Sequence, residues 1–258
     1  MYGMRARKSL GQVFLISRHI AQAEAAHAAG KTVIEIGPGR GILTKELCRV
    51  AKRVIAVEKD RSLAASLERS ISSPKLKLIN KDFFDATREE LELGRADIVI
   101  ANIPYMLSSK TIEWLSRERM QAVLCLQKEF VEHMAALPDT RNYSRLSVIS
   151  SLTFRITRIM DVPRGHFRPI PKVDSCIVYL KPKDAGITEA QRRIISALMQ
   201  HKKKTVRNAM MDCEREFGKS KAEMSKIMDG IVMKDQRVFK LTPTEILAIA
   251  ALLSQDLK

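Results

Sequence analysis

The residues best suited to chemistry are Asn102-Ile103-Pro104-Tyr105, which close an apolar run ending at Ala101. An aromatic exocyclic amine is a poor nucleophile because its lone pair is delocalised into the ring. The Asn102 side-chain oxygen and a main-chain carbonyl can accept its two hydrogens. That draws the nitrogen toward tetrahedral geometry and frees the lone pair, a combination of positioning and electrostatics. Pro104 stiffens the turn, and Tyr105 offers a face on which a base can stack. A base that leaves its helical stack for chemistry recovers part of the cost on such a face.

A second group of residues suits a nucleoside cofactor. Glu35-Ile36-Gly37-Pro38-Gly39-Arg40-Gly41 follows Thr32-Val33-Ile34 and precedes the amphipathic run Ile42–Leu47. Glycines between a strand and a helix allow positive φ and let a ligand lie on the backbone, with free N–H groups at the helix start. The dinucleotide fingerprint is G-x-G-x-x-G/A. Here the third glycine comes one residue early, at Gly41, and G-x-G-x-G after an acidic residue is the common form in S-adenosylmethionine (SAM) methyltransferases. Glu58 stands roughly 20 residues beyond Gly37, where a carboxylate accepts both ribose hydroxyls. Asp82, after the third apolar run, can accept from the adenine amino group, and Phe83 or Phe84 either packs beside that ring or belongs to the core. The alternatives are an ordinary βα turn, a solvated Glu58 and a capping Asp82.

These side chains need a scaffold. Strands are expected at 33–36, 53–57, 76–79, 96–101 and 122–126. Helices are expected from Ser17, a candidate cap, to Gly30, from Gly41 to about Ala51, and from Asp60 to about Ser72. Others are expected at 108–117, 128–137 and 144–152. Repeated βα units imply a parallel sheet covered by helices. Phe154–Val162 and Ser175–Leu180 are too close for a crossover helix and read as an antiparallel edge pair. They are joined by the Pro-rich stretch Pro163–Pro171. The linker Lys181–Gly186 then marks a boundary. Beyond it the pattern is helical, and Thr242-Pro243-Thr244-Glu245 is a capping box with Pro at the first helical position. The expected fold is α/β: a Rossmann-like, SAM-dependent methyltransferase sheet with a small all-helical C-terminal domain. Residues 1–182 would be the catalytic domain, with a basic arm over 1–16, and residues 183–258 the helical domain.

Composition narrows the class. The 258 residues carry 45 Lys and Arg against 29 Asp and Glu, a net charge of +16 spread along the chain. A field of that sign attracts polyanions such as RNA. Four single cysteines without a C-x-x-C pair argue against a metal centre or disulfide framework and fit a reducing cytoplasm. No signal peptide or membrane-length apolar run is evident. The His201-Lys202-Lys203-Lys204 run, with Arg207 about a turn further on, reads as an RNA-backbone contact or a solvated helix face. Phe167, before Arg168-Pro169-Ile170-Pro171-Lys172-Val173-Asp174-Ser175, either holds the target base from its opposite side or packs within the turn.

Together these motifs resemble the KsgA family of small-subunit ribosomal RNA adenine dimethyltransferases over nearly the whole chain. Lys8-Ser9-Leu10-Gly11-Gln12-Val13-Phe14-Leu15 is similar to the family's K-S-L-G-Q-N-F-L. Glu35–Gly41, Asn102–Tyr105, Tyr143–Val148, Phe167–Ser175 and the 201–208 segment follow in family order. The resemblance implies two methyl transfers from SAM to N6 of each of two adjacent adenosines near the 3′ end of small-subunit rRNA, and a role in subunit maturation. It implies cofactor contacts at Val13, Leu15, Gly37, Gly39, Glu58, Asp82 and Asn102. It places the target base among Asn102, Pro104, Tyr105 and Phe167, and RNA contacts at Lys202, Lys203, Lys204 and Arg207. No metal, no membrane and a monomer are expected. Val13 stands where bacterial members have Asn, so a contact there must run through the backbone. With the short C-terminal domain, it suits an archaeal-like member. Ile103 replaces the usual Leu, a swap of similar volume. The competing readings are an Erm-type methylase of large-subunit rRNA and a non-catalytic assembly or transcription factor on the same fold. The K-S-L-G-Q start and the K-T-x-R-N segment favour the first family, and intact glycine and Asn102–Tyr105 motifs argue against the last.

Overall fold

A computed structural model of the chain describes residues 13–184 and 186–257. The K-S-L-G-Q motif, and the basic arm up to residue 12, lie outside the described residues. Among these residues the chain divides into two compact units. One comprises its part of Met1–Lys128 with Ile156–Pro182, and the other Glu129–Arg155 with Lys183–Lys258.

The first unit is built on runs rich in β-branched residues, which suit a pleated, two-sided sheet. Strands β2 (Thr32–Ile36), β3 (Arg53–Val57), β4 (Leu76–Ile79), β5 (Ile98–Asn102) and β6 (Ala122–Gln127) pair in parallel, in the spatial order β4-β3-β2-β5-β6. Both faces are covered: every residue of β2 is buried, and Val33, Val54, Ile98, Ile100 and Val123 share one apolar cluster with Ile20, Leu43 and Leu47. Helices α1 (Arg18–Ala25), α2 (Ile42–Val50), α3 (Arg61–Ser70) and α4 (Ser108–Glu118) link the first strands, and α5 (Lys128–Met134) and α6 (Arg145–Thr153) follow β6. Strand β9 (Ser175–Pro182) runs antiparallel to β6, and β7 (Phe154–Val162) lies beyond it at the edge. The two strands lie side by side at this end of the sheet, as their close spacing suggests, and β9 is antiparallel to β6. The two-residue strands β1 (Phe14–Leu15) and β8 (Phe167–Arg168) form a separate antiparallel ribbon, with Leu15 opposite Phe167.

The second unit contains α7 (Glu189–Gln200), α8 (Val206–Asp212), α9 (Lys221–Asp229) and α10 (Pro243–Asp256). Capping boxes open α7, α9 and α10 at Thr188, Ser220 and Thr242, so orphan N–H groups at each helix start are met locally. Two expectations need correction. Ser17 occupies the cap position of α1 but its side chain makes no capping hydrogen bond. The boundary at 182/183 does not separate the whole of the first expected domain from the second. Segment Glu129–Arg155 belongs with the helices, because Tyr143, Val148, Ile149 and Leu152 are buried in the cluster that holds Ile194, Leu198 and Ile249. The Tyr143 hydroxyl donates to the Leu241 carbonyl at 2.8 Å, which anchors this segment there.

Candidate active site

The carboxyl ends of the parallel strands converge on one cavity in the first unit. Val13, Leu15, Gly37, Gly39, Glu58, Asn102 and Pro104 line it, together with Phe14, Glu35 and Arg40, which lie outside the set of site residues expected from sequence. The glycine turn explains its floor. Gly37, Gly39 and Gly41 all have positive φ, 64°, 57° and 78°, a region that side-chain-bearing residues avoid. A Cβ on Gly39 would meet the Phe14 ring at 3.0 Å, and one on Gly41 would overlap Leu67 Cδ2. Small residues are thus required on both sides of the turn. Phe14, from β1, closes over it, with the Arg40 guanidinium 4.8 Å from the ring centre.

Glu58 is fixed by backbone donors. Its Oε2 accepts from Gly39 N at 3.0 Å and its Oε1 from Asp60 N at 2.8 Å. Burial raises its pKa, and those two hydrogen bonds oppose the rise. Glu35, on β2, is 1% exposed, and its Oε2 has no partner among the described residues. Burial, reinforced by the neighbouring Glu58, pushes its pKa up to about 8. A desolvated carboxyl holds its proton more tightly, which lowers the charge density of the pocket wall.

At the end of β5, Asn102 Nδ2 donates to Glu24 Oε2 at 3.0 Å, while Asn102 Oδ1 is buried and has no partner among the described residues. Tyr105 opens the short 3-10 turn Tyr105–Leu107, and its hydroxyl lies 3.1 Å from Ser175 Oγ. Burial raises the phenol pKa, so it stays protonated. Glu24 projects from α1 and is fully buried. Burial, then the charge of Glu35, pushes its pKa up to about 8, against the Asn102 hydrogen bond. It carries no motif, but it stands one helical turn from Ile20 and from Ala28, both buried. A carboxylate on an apolar helix face was the available signal.

Other sequence candidates are not brought to this cavity. Asp82 is half-buried at the end of β4. It accepts from Phe84 N at 3.0 Å and pairs with Lys59 at 2.9 Å, which holds its carboxyl below the usual range. Phe83 packs edge-on against Trp114, while Phe84 lies under the Lys110 ammonium at 4.0 Å. Phe167 is 3% exposed and belongs to the core cluster of Leu15, Val162 and Ile177, so its ring presents no free face. In the second unit the basic run is split by its partners. Lys202 donates to the carbonyl of Tyr143, Lys204 pairs with Asp212, and Arg207 bonds Asp229 at 2.8 Å and Ser225 at 2.7 Å. Lys203 is exposed, and it lines a cleft of that unit with Arg141, Arg237 and Phe239.

No group of three or more metal-ligating side chains occurs among the described residues. None of their helices is long and apolar enough to cross a membrane.

Known proteins share this arrangement. The chain is 36% identical to the probable ribosomal RNA small subunit methyltransferase A of Thermococcus gammatolerans, over 99% of this chain and 92% of that one. Its fold resembles a dimethyladenosine transferase from Plasmodium falciparum, with a TM-score of 0.76 and 26% identity over 94% of this chain and 97% of that one. It also resembles the 23S rRNA methyltransferase ErmE, with a TM-score of 0.62 and 25% identity over 94% and 100%. A family model of ribosomal RNA adenine dimethylases matches residues 3–255, so the chain, through both of its units, belongs to the ribosomal RNA adenine dimethylase family.

Proposed function

We propose that this chain transfers methyl groups from SAM to N6 of two adjacent adenosines near the 3′ end of small-subunit rRNA, during maturation of that subunit. The observation that carries the reading is Asn102. Its amide is clamped through Nδ2, and its carbonyl oxygen, beside the glycine-floored cavity, is buried without a partner among the described residues. A buried acceptor left open is costly unless a donor arrives, and an adenine N6 amine brings two.

The cavity fits SAM by its own chemistry. A methyl group at Gly39 would crowd the Phe14 ring over the glycine floor, and Glu58 is held ready to accept ribose hydroxyls. Glu35 supplies an unpartnered carboxyl oxygen beside a ligand that carries a positive charge. Val13, Leu15, Gly37, Gly39, Glu58 and Asn102 would hold it, with Asp82 reaching the adenine edge once its pairing with Lys59 yields. When bound, SAM supplies an electrophilic methyl group. The chain's part is positional: Asn102 Oδ1 and a main-chain carbonyl accept the N6 hydrogens, Pro104 stiffens the turn, and Tyr105 supports the flipped base. Phe167 joins them only if the β1–β8 ribbon shifts to uncover its ring. No general base is assigned, because the amine proton can leave after the transfer.

Lys203, with Lys202, Lys204 and Arg207 around it, would meet the RNA backbone. We take the chain to act as a monomer in the cytoplasm. The relatives named for the small subunit favour that substrate over the Erm-type one.

Single-turnover transfer from labelled SAM to immature small subunits tests the reading. The wild type should yield N6,N6-dimethyladenosine. Asn102→Ala should abolish transfer, by about a hundredfold or more, while SAM affinity falls at most a fewfold. Near-wild-type turnover of Asn102→Ala would remove Asn102 from the chemistry.

A further inference from the structure

A buried carboxyl on the apolar face of an Ala-rich helix is expensive. Glu24 is 0% exposed, and its one side-chain hydrogen bond among the described residues is to Asn102 Nδ2, 78 positions away in sequence. Its other oxygen, Oε1, has no partner among the described residues. Ala or Leu would fill this position at no desolvation cost, so a carboxyl here adds nothing to packing that an apolar residue would not.

What it does add is an orientation. A primary amide presents a carbonyl on one side and an NH2 on the other, and the two are nearly equal in shape. If the Asn102 amide turned over, it would offer hydrogens to an amine that itself needs an acceptor. Glu24 offers acceptor lone pairs to the NH2 side and breaks that symmetry. The groups that face it are Glu35 on β2, Asn102 on β5 and Cys125 on β6. None of these is a cation that could take over the carboxyl.

We infer that Glu24 is a positioning residue for amine methylation: it fixes the Asn102 amide with its carbonyl oxygen toward the target nitrogen. The inference rests on the methyltransferase reading above. Glu24 touches neither cofactor nor base and acts only through Asn102. A protonated Glu24 still accepts from Nδ2–H through its carbonyl oxygen, while the ionised form accepts at both oxygens and has no O–H to offer a turned amide.

The test compares Glu24→Leu and Glu24→Ala, which remove the acceptor, with Glu24→Gln, which keeps one. Three quantities are read: single-turnover methylation of small subunits, SAM affinity by calorimetry, and exchange protection of the Asn102 side-chain amide protons by NMR without RNA. Loss of one fixed hydrogen bond of about 1–1.5 kcal/mol corresponds to roughly tenfold in rate. Glu24→Leu and Glu24→Ala should therefore turn over about tenfold or more slowly, with SAM affinity within about twofold and the amide protons exchanging freely. Glu24→Gln should recover turnover to within about threefold and restore protection. Should Glu24→Leu fail to fold, Glu24→Ala, in a residue the helix favours, carries the comparison. Unchanged turnover and protection in both apolar variants would overturn the inference, as would a Glu24→Gln as slow as they are. A wild type that binds SAM but methylates nothing would refute the functional reading instead. The NMR comparison would still decide whether Glu24 sets the amide.

Discussion

At the scale of single residues, the site combines an open acceptor with two carboxyls that hold their protons. Glu24 and Glu35 are both pushed from an ordinary value of 4.5 up to about 8, chiefly by burial. The sign of the consequence follows from linkage. Below pH 4.5 both groups are protonated whether the chain is folded or not. As pH rises toward 8, the unfolded chain releases those protons while the folded chain keeps them, so stability falls. Glu35→Gln, neutral at every pH, should therefore melt close to the wild type at pH 4 and increasingly above it toward pH 8. A melting difference that stays flat with pH would show that Glu35 ionises normally. The position of Asn102 and Pro104 at the cavity was readable from their motif, because a tetrapeptide at a strand end carries its own chemistry. Glu24 was not, because its meaning lies in a partner 78 positions away. Asp82 and Phe167 were readable as types but not by their surroundings: Lys59 and the apolar core had claims on them that no local pattern reveals.

At the scale of elements, the strand–turn–helix unit at β2 and α2 positions the site. Gly41 has φ of 78° and stands against Leu67 and Ile71, both buried. Gly41→Ala adds backbone strain and an overlap with a packed side chain, so it should cost roughly 1–3 kcal/mol of stability. Chemical denaturation should show a lower midpoint with an unchanged slope. A midpoint equal to that of the wild type would mean that α3 yields freely. The βα alternation and the capping box at Thr242 were legible because each rests on residues within one turn of the chain. The allegiance of Glu129–Arg155 was not. An apolar face reports that a helix is buried but not which core buries it, and Tyr143 reaches its partner Leu241 only in the folded unit.

For the whole molecule, the net charge of +16 acts at long range, and Arg141, Lys203 and Arg237 line one cleft of the second unit. Lys203→Ala/Arg237→Ala should weaken binding to small subunits and reduce the slope of log affinity against log salt by about two, one for each phosphate left without its cation. An unchanged slope would place the RNA elsewhere. Lys202→Ala should in addition cost stability, because its ammonium holds the Tyr143 carbonyl. Charge and family membership together point to ribosomal RNA, and the choice of subunit is the claim on which the rest depends. The most direct measurement is to incubate the chain with labelled SAM and, in parallel, immature small subunits and large subunits, and to map the modified bases. The predicted result is N6,N6-dimethyladenosine at two adjacent positions near the 3′ end of the small-subunit RNA, with large subunits unlabelled. Dimethyladenosine in the large-subunit RNA, or retained SAM binding with no transfer to either, would contradict it.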